Sequence, residues 1–290
     1  MSQRRKAPAR PVPRPSSLLE RPLTARSVIA SLLLGMHPPR LSSARLVRWC
    51  SLFGMAEGTA RVALSRMVER GELTASDGTY ELVGAVRERQ PGFDWAIEPE
   101  LEAWDGRWLV ALVTAEARSA GARAELRRAM AQVRFGERRE GVWVRPANLP
   151  RSSAAPSAWS VVDDQCEWWQ GSPAGDPVGE ADRLFAPGRW SERADVLVVE
   201  LERVRVSLGN GTPPARDRRD WEADGDGDDL AAGFTALAAA LQHLRRDPLL
   251  PEALLPELWP GPQLRNAYRA CQTTYAAAVG AFFAGSGPPR

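Results

Sequence analysis

The chain has 290 residues, 44% of them hydrophobic and 26% charged. That is enough length for two or three packed domains and the composition of a globular protein. No stretch approaches the roughly 20 uninterrupted apolar residues that a membrane span needs. Charge is uneven: residues 1–90 hold 15 basic and 7 acidic side chains, residues 91–290 hold 23 and 29. A basic front on an acidic body is the electrostatic footprint of phosphate binding.

The first segment, MSQRRKAPARPVPRPSS, has Arg and Pro but no apolar centre, so it reads as a basic arm and not as a secretion signal. Thr24 to Leu34 follows as a helix ended by Gly35. The Pro38-Pro39 pair interrupts helical structure. Ser42 or Ser43 can cap a second helix through Leu52, with Leu46, Val47, Cys50 and Leu52 or Phe53 on one side. Gly54 turns the chain into a third helix, in which Ala60, Ala63, Leu64, Met67 and Val68 form one apolar stripe. Thr59, Arg61, Val62, Ser65, Arg66 and Glu69 occupy its other face, and Gly71 stops it.

A hairpin comes next, Glu72 to Ser76 and Thr79 to Leu82, joined by Asp77-Gly78, a pair suited to the type I′ turn. Helix, Gly turn, second helix and hairpin is the layout of a winged helix-turn-helix. In such units the second helix of the pair enters the DNA major groove and reads bases from its N-terminal half. The candidate DNA contacts are Ser43, Arg45, Gly58, Thr59, Arg61, Val62, Ser65 and Arg66. The same layout also serves protein-interaction modules that bind no DNA. The hairpin carries three acids and no basic residue, which shifts phosphate contact to the helix and the arm.

Val83 to Pro99 reads as a linker. Trp108 to Thr114 is a strand, Ala120 to Val133 a helix with Leu126, Ala129, Met130 and Val133 inward, and Gly141 to Arg145 a second strand closed by Pro146. That order predicts a small ferredoxin-like α/β sandwich. Asp105 is the one obvious carboxylate there for metal-dependent nuclease work. Residues 146–188 resist reading. Their cluster of Trp159, Trp168 and Trp169 is either an aromatic ligand wall or, as adopted here, a small core.

Trp190 to Leu208 reads as a helix with Val196, Val199, Leu201 or Val204 and Leu208 inward. The charged loop after it alternates Asp224, Asp226 and Asp228, but the sixth and twelfth places of a calcium loop hold Asp229 and Thr235 in place of Gly and Glu. The run is therefore read as a linker leading into a helix. That helix, Leu230 to Arg246, is followed by a connector with four prolines, Asp247 to Gly261. A last helix, Gln263 to Phe283, carries Leu264, Tyr268, Cys271 and Phe282 on one side. The three cysteines, Cys50, Cys166 and Cys271, are odd in number and far apart, which fits a reducing cytoplasm and gives neither a disulfide framework nor a zinc site. No G-x-S-x-G, Walker loop or H-E-x-x-H occurs.

Four blocks carry a resemblance. They are the helix from Ala60 to Gly71, then W-D-G-R-W-L-V from Trp104, G-V-W-V-R-P from Gly141, and D-P-L-L-P-E-A-L-L-P-E-L-W-P-G from Asp247. In this order the chain resembles the PaaX family, bacterial repressors of phenylacetic acid catabolism and their relatives. Residues 151–229 match it only loosely. The resemblance implies a central sandwich like that of small CRISPR-associated endonucleases, here non-catalytic, and an aryl-acetyl-CoA thioester as effector.

The expectation is an α+β chain. It would have a basic arm at 1–20, a winged helix-turn-helix at 21–84, a linker at 85–100, a ferredoxin-like domain at 101–185 and a helical domain at 186–290. Its expected role is that of a cytoplasmic, homodimeric regulator of double-stranded operator DNA, without enzymatic activity, cofactor or metal. The candidate effector contacts are Arg107, Arg134, Trp143 and Arg145, since arginines can hold phosphates and indoles can stack on a ring.

Overall fold

The computed structural model describes residues 18–19, 21–36, 38–84, 90–114, 118–151, 155–210 and 226–284. Apart from Leu18 and Leu19 the basic arm lies outside them, as does the charged loop over 211–225, Asp224 included.

The first unit starts with α1 (Ala25–Leu34), capped by Thr24, whose hydroxyl accepts from the Ser27 amide. A three-residue strand, β1 (Arg40–Ser42), leads into α2 (Ser43–Ser51), capped by Ser42. Gly54, at a φ of 68°, turns the chain into α3 (Glu57–Glu69). The hairpin β2 (Leu73–Ser76) and β3 (Thr79–Leu82) follows, with Asp77 and Gly78 both at positive φ, as a type I′ turn requires. β1 pairs antiparallel with β3, giving the sheet order β1-β3-β2. The buried side of the unit holds Val28, Ile29, Leu33, Leu46, Trp49, Leu64 and Met67.

Part of the expected linker is helical: α4 spans Gln90–Ile97. Its proline is the second residue, where a missing N–H costs nothing because the first turn has no acceptor for it. Trp95 and Ala96 are buried, so α4 is a packed element and not a spacer.

The central unit runs β4 (Trp108–Val113), α5 (Ala120–Gln132), β5 (Gly136–Arg139), β6 (Val142–Pro146), α6 (Pro156–Asp163), β7 (Cys166–Gly171). All neighbours in its sheet are antiparallel, in the order β5-β6-β4-β7, the split βαβ arrangement. Helices α5 and α6 cover one face over Ala111, Leu126, Met130, Phe135, Trp143 and Trp159. The other face, Trp108 and Val144, is covered by Ala181 of α7 (Pro177–Phe185) and by Leu250 and Leu254 of the proline-rich connector. Trp159 and Trp168 pack with Phe135 in the first core, whereas Trp169 is 63% exposed.

Three long helices complete the chain: α8 (Pro187–Asn210), α9 (Asp226–Leu244) and α10 (Gly261–Ala284). On α8 the inward residues are Leu197, Leu201, Val204 and Leu208, and Val199 points outward at 70% exposure. The inward stripe thus runs through Leu197, which sits one helical turn ahead of Leu201; Val199, two residues from each, lies about 160° away on the outer face and not inward as expected. These helices and the first unit share one hydrophobic core.

Candidate nucleic-acid interface

The outer face of α3 is set by its inner one. Ala60, Leu64 and Met67 are buried at helical spacing, so Gly58, Thr59, Arg61, Val62, Ser65 and Arg66 all reach solvent. Val62 is 51% exposed, an apolar side chain left uncovered among polar ones. Arg61 is held by Glu57 one turn back, at 2.7 Å. No Arg66 partner occurs among the described residues. Beside this face a groove of about 470 Å³ runs between the start of α1 and α3, lined by Thr24, Arg26, Thr59, Val62, Arg66 and Arg70.

Two further arginines frame the surface, and the sequence reading did not include them. Arg26 of α1 forks onto Glu72 at the base of the hairpin, at 2.8 and 2.9 Å, which ties helix to sheet and raises the Arg26 pKa through that hydrogen bond. Arg40 of β1 stands opposite Glu81 of β3, so the acidic hairpin gains a basic neighbour across the ladder. A three-residue strand after two prolines leaves no periodic signal, which is why Arg40 was not visible beforehand.

Ser43 and Arg45 are placed differently. The Ser43 amide donates to Gly78 O at 2.9 Å, closing α2 onto the hairpin turn. Arg45 turns toward the C-terminal helix: its guanidinium donates to Phe283 O at 3.4 Å and lies 5.8 Å from the Phe283 ring centroid.

The four candidate effector contacts do not converge on an open site. Arg107 is exposed and bound to Asp105 within its own turn; that hydrogen bonding lowers the Asp105 pKa, and the carboxylate serves the turn. Trp143 is a core residue at 8% exposure. Arg134 donates to Ala131 O and Gln132 O at 2.9 and 3.0 Å and stands 5.2 Å from the Trp95 ring. Arg145 is fully buried and donates to Pro146 O, Val133 O and Asn148 Oδ1 at 2.8–2.9 Å. Burial pulls its pKa down to about 9 and that of Arg134 down to about 10. Arg145 is a bolt between β6 and the end of α5.

Among the described residues no group of three or more His, Cys, Asp or Glu side chains could hold a metal ion. No helix there is long and apolar enough to cross a membrane. The three cysteines are buried and free, and burial raises each thiol to about 11.

Fold and site together define a mixed α+β chain: a basic helix-and-hairpin unit seated on a helical layer, with a split-βαβ sandwich beside it. Three models of one family match it in order: PaaX-like protein over residues 24–86, PaaX protein central Cas2-like domain over 101–172, and PaaX-like protein C-terminal domain over 214–285. The chain belongs to the PaaX-like family. It is also similar to the solved structure of the uncharacterized protein Rv0674 from Mycobacterium tuberculosis. The identity is 35%, the match covers 88% of this chain and 97% of that one, and the TM-score is 0.64. No curated protein matches the chain.

Proposed function

We propose that the protein is a DNA-binding transcriptional regulator, a repressor of a catabolic operon that an acyl- or aryl-CoA-type effector releases. In this reading the first unit is a winged helix-turn-helix and α3 its recognition helix. The central sandwich is ferredoxin-like and non-catalytic, and the protein works in the cytoplasm as a homodimer on a palindromic operator, since two-fold protein symmetry matches two-fold sites. The observation that carries it is the outer face of α3. It offers Arg61, Ser65 and Arg66 around an uncovered Val62, on the basic part of the chain, where guanidinium groups can fork onto guanine and an apolar side chain can meet a thymine methyl. Membership of the PaaX-like family points the same way.

Sequencing of genomic fragments retained by the purified protein tests this. One enriched palindromic site, lost on Arg66→Ala, supports the regulator. Cleaved fragments or no enrichment would sink it.

A further inference from the structure

A second cleft, of about 440 Å³, lies between the start of α8, the end of α9 and the residues just ahead of α1. Its size is that of a small-molecule site. Arg189 and Arg193 enter it from one face of α8, four residues apart. Phe185, Leu19 and Ala239 give it apolar walls, and the buried Trp190 ring forms part of its floor. That ring is fixed from both sides, 4.5 Å from the His243 ring and 4.4 Å from the Trp259 ring, both stacked.

The two arginines are unlike the others on these helices. Arg183, Arg203 and Arg205 each fork onto a glutamate three residues back. Arg189 meets no carboxylate among the described residues, and Arg193 donates to a neutral acceptor, Leu18 O. Arg189 also sits in the first turn of α8, which contains no acid. A cation there opposes the helix dipole. So Arg189 adds nothing to the stability of its own helix, while the dipole and both guanidiniums together favour an anion in the cleft.

We propose that this cleft binds an amphiphilic anion, its carboxylate or phosphate held by Arg189 and Arg193 and its aryl or acyl group lying along Phe185, Leu19 and Ala239. The site stands by itself; its role as the effector site rests on the regulator reading. The structural link is short. Leu18 and Leu19 form one wall, and α1, which shares the groove with α3, begins at Ala25. A ligand that fixes that wall can favour one placement of α1 over another.

Calorimetric titration of the full chain with phenylacetate, phenylacetyl-CoA and coenzyme A tests the site. Binding of either aryl compound at one site per chain is expected. Phenylacetate binding would show that a carboxylate suffices, and binding of the thioester alone would assign the anion to phosphate. Arg189→Glu, at an exposed position with no ion pair among the described residues, should weaken that binding by about tenfold or more. Coenzyme A binding as tightly as its thioester, no binding of any probe, or an unchanged affinity in Arg189→Glu overturns the proposal. Operator binding of the ligand-free protein is measured separately. Its absence would end the regulator reading and leave the site standing.

Discussion

Trp49, near the end of α2, meets Phe282 of α10 edge to face, with ring centroids 5.9 Å apart and planes at 71°. Phe234 of α9 and Tyr275 of α10 approach the same indole at 6.5 and 6.4 Å. Next to it the Arg48 guanidinium lies 4.3 Å from the Phe282 ring centroid. The basic unit is therefore not a bead on a string. Its second helix is built into the C-terminal helices, which lie far along the chain, and a displacement of α10 has to be taken up by α2.

The first prediction follows from that shared core. Trp49 is fully buried, so Trp49→Ala should cost about 3–5 kcal/mol. Because the cavity opens between two units, both should lose stability together. Fluorescence and far-ultraviolet circular dichroism are expected to report one coincident urea transition at lower denaturant. Two separated transitions, with the C-terminal helices unaffected, would show that the units fold apart.

How much of this was legible beforehand varies with the kind of signal. The stripe Ala60, Leu64, Met67, the stop at Gly71 and the Asp77-Gly78 turn are local, and local chemistry determines them. The polar four-residue β5 and the three-residue β1 carry no pattern, because short edge strands are held by their neighbours and not by their own sequence. Arg145 is a different case. Its partners Val133 and Asn148 are near in sequence, but Asn148 is itself held by the distant connector, donating from Nδ2 to Leu249 O at 3.0 Å. A buried structural arginine and a ligand-binding one look alike in sequence.

The second prediction concerns that arginine. Removing Arg145 takes away the donor that Val133 O, Pro146 O and Asn148 Oδ1 each accept from, and a buried acceptor left without one costs about 1–3 kcal/mol. Arg145→Ala should therefore destabilise by at least about 3 kcal/mol. Arg145→Lys should recover only part of this, since an ammonium cannot reproduce the planar fork. Asn148→Ala is expected to be non-additive with Arg145→Ala, because the two side chains act through one bond. Simple additivity in chemical denaturation would remove the coupling through Asn148.

The third prediction is a pH dependence. His243 Nε2 lies 2.9 Å from Trp190 O, and Trp190 Nε1 donates to His243 O at 3.2 Å. Burial lowers the imidazole pKa from 6.5, against a smaller raising effect of the Trp190 carbonyl. The folded state thus protonates less readily than the unfolded one. As pH falls below the unfolded value the unfolded chain takes up a proton first, and stability is lost until the folded group also protonates; above that value the residue contributes nothing. Urea midpoints at about pH 7.5 and about pH 5.5 should differ more for the native protein than for His243→Gln. Equal differences would exclude His243 as a source.

The last prediction returns to α3 and pits its two charges against each other. In the free protein Glu57 favours the helix N-terminus and holds Arg61, both side chains being more than half exposed at 63% and 58%. Such an exposed pair contributes less than about 1 kcal/mol to stability. Against DNA the balance changes. Glu57 stands at the end of the helix that would enter the groove, where it meets phosphates of like charge, and Arg61 must leave it to reach a base or a phosphate. Glu57→Gln should therefore cost little stability and tighten operator binding, most visibly at low salt, where phosphate interactions are least screened. Arg66→Ala, with no ion pair to break among the described residues, should weaken binding by about 1–3 kcal/mol if it reads a base edge, and relax preference at that position. Fluorescence anisotropy across a salt series with matched and scrambled operators separates these effects. If Arg61→Ala and Arg66→Ala both bind at native affinity with their helical content intact, α3 is not the reading helix.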